Sequence, residues 1–455
     1  MFIMSTTHKL GTMSVRKLIL TMSVPIMISM LTQALYNVVD SIYVSRYSFE
    51  AFTALSLAYP VQQVMSAISV GTNVGTNALL SYSLGQGNLE RANKAANTAV
   101  FLALINWTVF IILGIFFSRA IIAAQTSNPV IIQHGQDYLS LVTIFSIGIF
   151  GQMAFERILI ASGYSVYPMI TQITGAVINI ILDPIFIFGW FGVPEMGVKG
   201  AAIATIIGQV VAMILAYTFI RLKNKYVKFK PSLIFKPELE IIKRIYKVGL
   251  PSILLISLSS VMVFFLNRIL SAFTDAATAV LGAYFRLQSF AFMPVFGLNN
   301  GLVPIVSYNY GSKQYDRMKD AVKFALKLGI GVTLTGFLIF QFFTPTLLNL
   351  FEATPEMLQI GIPALRIISF SFLFAGYNIV LSSVFQALQR GTISLFISFC
   401  RQILFILPIA YGLSKTNVLS NIWWSIPLAE VVSFCLTTFF IIRIIRLVNE
   451  NAIDN

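Results

Sequence analysis

Uncharged apolar runs of about 20 residues recur from one end of this chain to the other, and that spacing constrains it more than any motif does. Each run is long enough to cross a hydrocarbon layer about 30 Å thick as a helix. Only 11% of the 455 residues are charged, against roughly 25% in an ordinary soluble domain. A polytopic, all-α integral membrane protein is expected.

Between charges and turn residues the runs fall near 18–45, 52–82, 95–117, 136–161, 169–189, 198–220, 248–273, 279–310, 322–345, 358–388, 392–413 and 421–442. Twelve transmembrane helices follow. Several exceed the minimum for a span, so tilts, kinks or extensions are expected, with Pro25, Pro60, Pro251, Pro294, Pro304 and Pro427 as the bends. The 17 mostly polar residues ahead of the first run carry no small-residue cleavage site, so that run reads as a membrane helix rather than a signal peptide.

A formal net charge of +14 would suit nucleic acid if the basic residues formed a patch, but they flank the runs instead. With the N-terminus inside, 22 Lys and Arg fall in cytoplasmic segments, nine of them between Arg221 and Lys247. Four, Arg46, Arg119, Lys199 and Lys415, fall outside. The positive-inside rule then puts both termini in the cytoplasm of a multi-pass cell-membrane protein, with lipid and not nucleic acid as its surroundings. Cys400 and Cys435 lie in apolar runs, and His8 and His134 stand alone. Neither a disulfide framework nor a bound-metal cluster is expected.

Shifting the chain by 226 residues pairs Pro25 with Pro251. The same shift aligns Gly71, Asn73, Gly75, Ser81, Tyr82, Gly85 and Arg91 with Gly297, Asn299, Gly301, Ser307, Tyr308, Gly311 and Arg317. Two related halves are expected: an N-terminal lobe at 1–220, a basic cytoplasmic linker at 221–247 and a C-terminal lobe at 248–455. Six spans per half is an even number, so the repeats are parallel, as in secondary transporters whose two bundles rock about a central site. A duplicated channel or intramembrane enzyme is the alternative.

Ionisable groups inside hydrocarbon are functional candidates by default. Four carboxylates lie within spans: Asp40, Glu156, Asp183 and Glu430. Asn179 and Asp183 are four residues apart and share a helix face. Asp40 has Asn37 and Tyr36 close by, and Thr205 adds a hydroxyl on the sixth span. Buried carboxylates with an amide can hold a proton, because burial and like charge favour the neutral acid, or a small hard cation. Asp183 beside Pro184 also fits a helix-breaking aspartate, and Asp40 also fits a merely satisfied polar residue.

Glu156 and Arg157 are adjacent, point about 100° apart and do not pair. Glu156 faces either a cavity or a basic loop residue. Glu430 follows Trp423, Trp424 and Pro427, and Arg286, Arg366 and Arg401 lie in the same half, which suits structural ion pairs there. A cavity walled by Phe, Met and Tyr would accept flat lipophilic cations. No Walker loop, Ser-His-Asp set or HExxH occurs, so an enzyme or an ATPase is not expected.

The runs Tyr36-Asn-Val-Val-Asp40, Asn179-Ile-Ile-Leu-Asp183-Pro184, Gly197-Val-Lys-Gly-Ala-Ala-Ile-Ala-Thr205 and Asn309-Tyr-Gly311 resemble the multidrug and toxic compound extrusion (MATE) family of the MOP superfamily. The resemblance covers nearly the whole chain. It implies twelve helices in two six-helix lobes, no cofactor, and export of amphipathic or cationic drugs and toxins in exchange for protons or sodium ions. Carried over residue by residue, the N-terminal-lobe cation site of DinF-like members falls on Asp40, Asn179, Asp183 and Thr205, with Tyr36, Asn37, Glu156 and Glu430 as further cavity candidates and Pro25 as hinge. Sodium would sit on the same four residues. Glu156 stands where the family often has Asn, which leaves proton or sodium preference open. The acidic residues that NorM-like members use on the seventh and tenth spans are absent.

A monomer working by alternating access is the implied form. The runner-up is a lipid-linked precursor flippase of the wider superfamily, which would need a cationic cavity for pyrophosphate.

Overall fold

The computed structural model describes residues 9–351 and 354–453. His8 and the rest of the first eight residues of the expected N-terminal segment lie outside the described residues. The first repeat comprises α1 (Val15–Tyr47), α2 (Phe49–Gly85), α3 (Leu89–Phe116), α4 (Pro129–Ile144), α5 (Ile147–Ala161), α6 (Val166–Phe188) and α7 (Val198–Lys223). The second comprises α8 (Leu239–Ser271), α9 (Asp275–Gly311), α10 (Tyr315–Phe342), α11 (Pro355–Ser369), α12 (Phe372–Ala387), α13 (Gly391–Ser414) and α14 (Ser425–Ile453). Among the described residues nine helices are long and apolar enough to cross a membrane unaided, and two bent helix pairs add two more. The twelfth element, α2, has 37 residues but carries Gln62, Gln63, Thr72, Asn73, Thr76 and Asn77.

Local chemistry sets the helix starts. Ser48 Oγ accepts from the Ala51 amide at 2.9 Å ahead of α2, and Asn88 Oδ1 accepts from Arg91 at 2.9 Å ahead of α3. Asn128 caps α4 with Pro129 at its first position.

The duplication extends to individual residues. α2 and α9 coincide under the 226-residue shift at both ends, as do α3 and α10. Each repeat also has one broken span. The runs expected as single helices at 136–161 and 358–388 are pairs, α4 with α5 bent by 42° and α11 with α12 bent by 51°. The breaks fall at Phe145-Ser146 and Phe370-Ser371, which are 225 apart, one residue off the repeat, and contain no proline. The helices holding Pro25, Pro60, Pro251, Pro294 and Pro304 run through them, while Pro427 sits in the first turn of α14.

Two compact units result, Val24–Gly249, and Leu250–Asn455 together with Met1–Ser23. The basic segment expected as a linker groups with the first unit. In that unit Asn93 and Asn97, one turn apart on α3, grip the extended backbone at Tyr226, Lys228 and Lys230. Lys94 bridges Glu90 at 2.8 Å and Glu238 at 2.7 Å. This hydrogen bonding holds the Glu90 carboxyl below its ordinary range.

The two units trade leading segments. A side-chain carbon on Gly75 would strike the Ile245 carbonyl, so the start of α8 lies on α2 backbone to backbone. A carbon on Gly301 would strike Ser23, so the start of α1 lies on α9 in the same way. Arg317 Nη2 also donates to the Met13 carbonyl at 2.8 Å, fastening that leading segment within its unit. The glycines aligned by the sequence repeat are therefore the seats of these close approaches.

Candidate functional site

The site grows from one close helix contact in the first unit. A carbon on Gly175 of α6 would come 2.9 Å from the Gly208 carbonyl of α7, and one on Gly208 would come 2.6 Å from the Gly175 carbonyl. With backbones that near, short polar side chains one turn further along meet directly. Asn179 Nδ2 donates to Thr205 Oγ1 at 3.3 Å and to Asp183 Oδ1, on its own helix, at 3.2 Å. Asp183 is fully buried, and Asn179 and Thr205 are nearly so.

Asp40, half-buried on α1, interacts electrostatically with Asp183. Tyr36, one turn earlier, and Tyr138 on α4 both feel the two carboxylates. Gln62 Nε2 donates to the Tyr138 hydroxyl at 3.1 Å.

The cluster carries three unmet acceptors. Among the described residues Asp40 Oδ1, Asn179 Oδ1 and Asp183 Oδ2 are buried with no hydrogen-bond donor. An ionised carboxylate only accepts, and each buried orphan costs about 1–3 kcal/mol. A proton on either carboxyl, or a small hard cation shared by these oxygens, would relieve that cost. The donor set fits a coupling ion.

A cavity of about 40 Å³ adjoins the cluster, lined by Gln33, Tyr36, Gln152, Gln172, Asn179 and Thr205 among others. At about 10–15 Å³ per water it has room for a few waters, whereas a drug-sized ligand needs about 300 Å³ or more. In this arrangement a small polar group enters it, not a whole drug.

The remaining candidates separate. Asn37 is exposed on a different face of α1 from Tyr36. Glu156 lies on α5, where Oε1 accepts from Gln152 Nε2 at 2.9 Å and from Thr171 Oγ1 at 2.7 Å. Glu430 belongs to the other unit, paired through Oε2 with Arg401 Nη1 at 2.9 Å and through Oε1 with Asn378 Nδ2 at 2.7 Å. Arg401 is the second residue of a seven-residue π-helical stretch, Cys400–Ile406. Pro25 falls two residues beyond Ser23, where α1 passes from one unit to the next.

The cavity's four glutamines, Gln33, Gln152, Gln172 and Gln209, were not anticipated. A signal existed for two of them. Gln172 is seven residues before Asn179 on the same face of α6, and Gln152 is four before Glu156.

Known proteins carry the same pattern. The MatE family model matches twice, at residues 25–185 and 251–411, the copies displaced by 226 residues. Multidrug export protein MepA of Staphylococcus haemolyticus (strain JCSC1435) is 26% identical over 94% of this chain and 93% of its own. An FAD transporter of Shewanella oneidensis is 25% identical over 94% and 95%. The outward-facing structure of a multidrug resistance MATE family transporter of the MOP superfamily superposes with a TM-score of 0.89 at 25% identity, covering 98% of this chain and 99% of that one. This chain belongs to the MatE family and is a membrane transporter, not an enzyme.

Proposed function

We propose that this transporter is a secondary active antiporter of the cell membrane that exports lipophilic or cationic drugs and toxins in exchange for protons or sodium ions. The observation that carries the reading is the set of buried, unmet oxygens on Asp40, Asn179 and Asp183. Relatives with multidrug export in their names support the substrate class. A flippase of lipid-linked precursors would want a cationic cavity, whereas this one is walled by amides beside carboxylates.

The mechanism is alternating access. With both carboxylates charged, Asp40 and Asp183 repel each other across α1 and α6, and a bound proton or cation removes the repulsion. The stretch of α1 after Pro25 then settles against α6, and this shift releases the substrate outward. Each charge that moves inward down 100 mV yields about 2.3 kcal/mol, roughly fiftyfold of uphill export. The chain works as a monomer with both termini in the cytoplasm.

Asp40→Asn keeps the shape and the hydrogen-bonding capacity but cannot cycle charge. In proteoliposomes loaded with a fluorescent lipophilic cation, wild type should pump under an imposed pH or sodium gradient and Asp40→Asn should fall to background at equal incorporation. Full pumping by that variant would overturn the assignment.

A further inference from the structure

Glu156, partly buried on α5, is a further carboxylate of the first unit once Asp40 and Asp183 serve the coupling ion. Thr171 and Asp183 are twelve residues apart on α6, about 18 Å of helix. Glu156, bonded to Thr171, therefore stands well away from the coupling pair. Its partner Gln152 lines the cavity, and so does Gln172. Gln152 Nε2 donates to both Glu156 Oε1 and Gln172 Oε1, each at 2.9 Å. An amide nitrogen has two hydrogens, so this donor is spent and the Gln152 orientation is fixed. Both donors to Glu156 end on Oε1, which makes Oε2 the oxygen available to a ligand. Arg157, next along the helix, offsets part of the Glu156 charge.

The second repeat supplies an independent observation. Under the 226-residue shift Gln152 corresponds to Asn378 and Gly175 to Arg401. Asn378 Nδ2 donates to Glu430 Oε1, and Arg401 Nη1 donates to Glu430 Oε2. The equivalent region of the second unit thus holds a carboxylate with an amide on one oxygen and a guanidinium on the other, all from its own chain. In the first unit the position of that arginine is a glycine, and the glycine lines the cavity.

We propose that Glu156 selects substrates with a positively charged N–H group, such as a protonated amine or an amidinium, taking it on Oε2 as Glu430 takes Arg401. The substrate's cationic head replaces, in the first unit, the tethered cation of the second. This rests on the drug-export reading above, so the test separates binding from pumping.

The probes are dansylcadaverine, a primary ammonium ion at neutral pH, and its uncharged N-acetyl derivative. Binding to the detergent-purified full chain is read by dansyl fluorescence without any ion gradient, and thermal unfolding reports that each variant is folded. Wild type should prefer the amine by about tenfold or more, a preference that Glu156→Gln brings close to parity and Glu156→Asp partly keeps. An undiminished preference in folded Glu156→Gln overturns the Glu156 assignment alone when wild type pumps the amine in proteoliposomes. Wild type that shows no preference and pumps neither probe overturns both readings.

Discussion

α2 and α9 have the same length and the same register, and the helices after them agree to the residue, yet the two repeats differ at all four residues of the candidate site. At the positions of Asp40, Asn179, Asp183 and Thr205 the second repeat has Leu266, Phe405, Ile409 and Val431. Leu266 is buried in an apolar core with Tyr284, Phe372 and Trp423. Conversely, Gly175 and Ala204 of the first repeat become Arg401 and Glu430, a buried ion pair where the first has a cavity. Duplication has conserved what backbone geometry requires, namely helix ends, breaks and glycine seats. Side chains inside the scaffold have diverged, one set leaving buried oxygens unmet and the other forming an ion pair within the chain.

The comparison can be broken first at the ion site. If a proton is the coupling ion, Asp183→Asn should remove the response of efflux to a pH gradient, while Asn179→Ala should only lower it, since an amide positions a carboxyl but carries no exchangeable charge. If sodium is the ion, both changes remove ligands and should weaken apparent sodium affinity together. Efflux measured against graded pH and sodium gradients separates the cases, and unaltered responses in both variants would mean that this face of α6 is structural.

The second unit should answer differently. Removing one member of a buried pair strands the other, so Arg401→Met alone should cost about 3–5 kcal/mol of stability, although the guanidinium is partly exposed and the lower end is expected. Replacing both, as Arg401→Met with Glu430→Leu, should recover most of that loss and keep pumping, because apolar packing substitutes for an ion pair. Thermal unfolding together with efflux checks this. A double variant that folds but cannot pump would give the second unit a direct part in transport.

The smallest test concerns the scaffold itself. Ser48 and Thr274 are equivalent N-caps, accepting from Ala51 at 2.9 Å and Ala276 at 3.3 Å. Ser48→Ala and Thr274→Ala should each cost about 1 kcal/mol by thermal unfolding. A large inequality would show that the matching helix starts are not matched in energy.

Much of this was legible because membrane insertion writes its constraints in long runs. Apolar length gave the spans, and the aligned glycines gave the 226-residue repeat. The Asn179 and Asp183 face followed from helical spacing alone. The breaks at Phe145-Ser146 and Phe370-Ser371 were not legible, since neither site has the proline or glycine that marks a kink. Nor was the amide wall. Gln152 and Gln172 are ordinary polar residues in a span until α5, α6 and α7 close around them, and a pattern along one helix cannot report what two others bring to it. Glu430 shows the same limit, because its partners, Arg401 and Asn378, come from two other spans.

The traded leading segments bear on how the chain is made. The start of α1 packs against Gly301, and the segment just ahead of it is held by Arg317, 304 residues further along than Met13. At about 5–20 residues per second, a ribosome takes roughly 15–60 s to cover that interval. The start of α8, by contrast, meets its seat at Gly75 as soon as it emerges, and the first unit can close while the second is still being translated. Birth order is therefore built into the fold: the unit that holds Asp40 and Asp183 is complete first, and the segment ahead of α1 is among the last to be put in place.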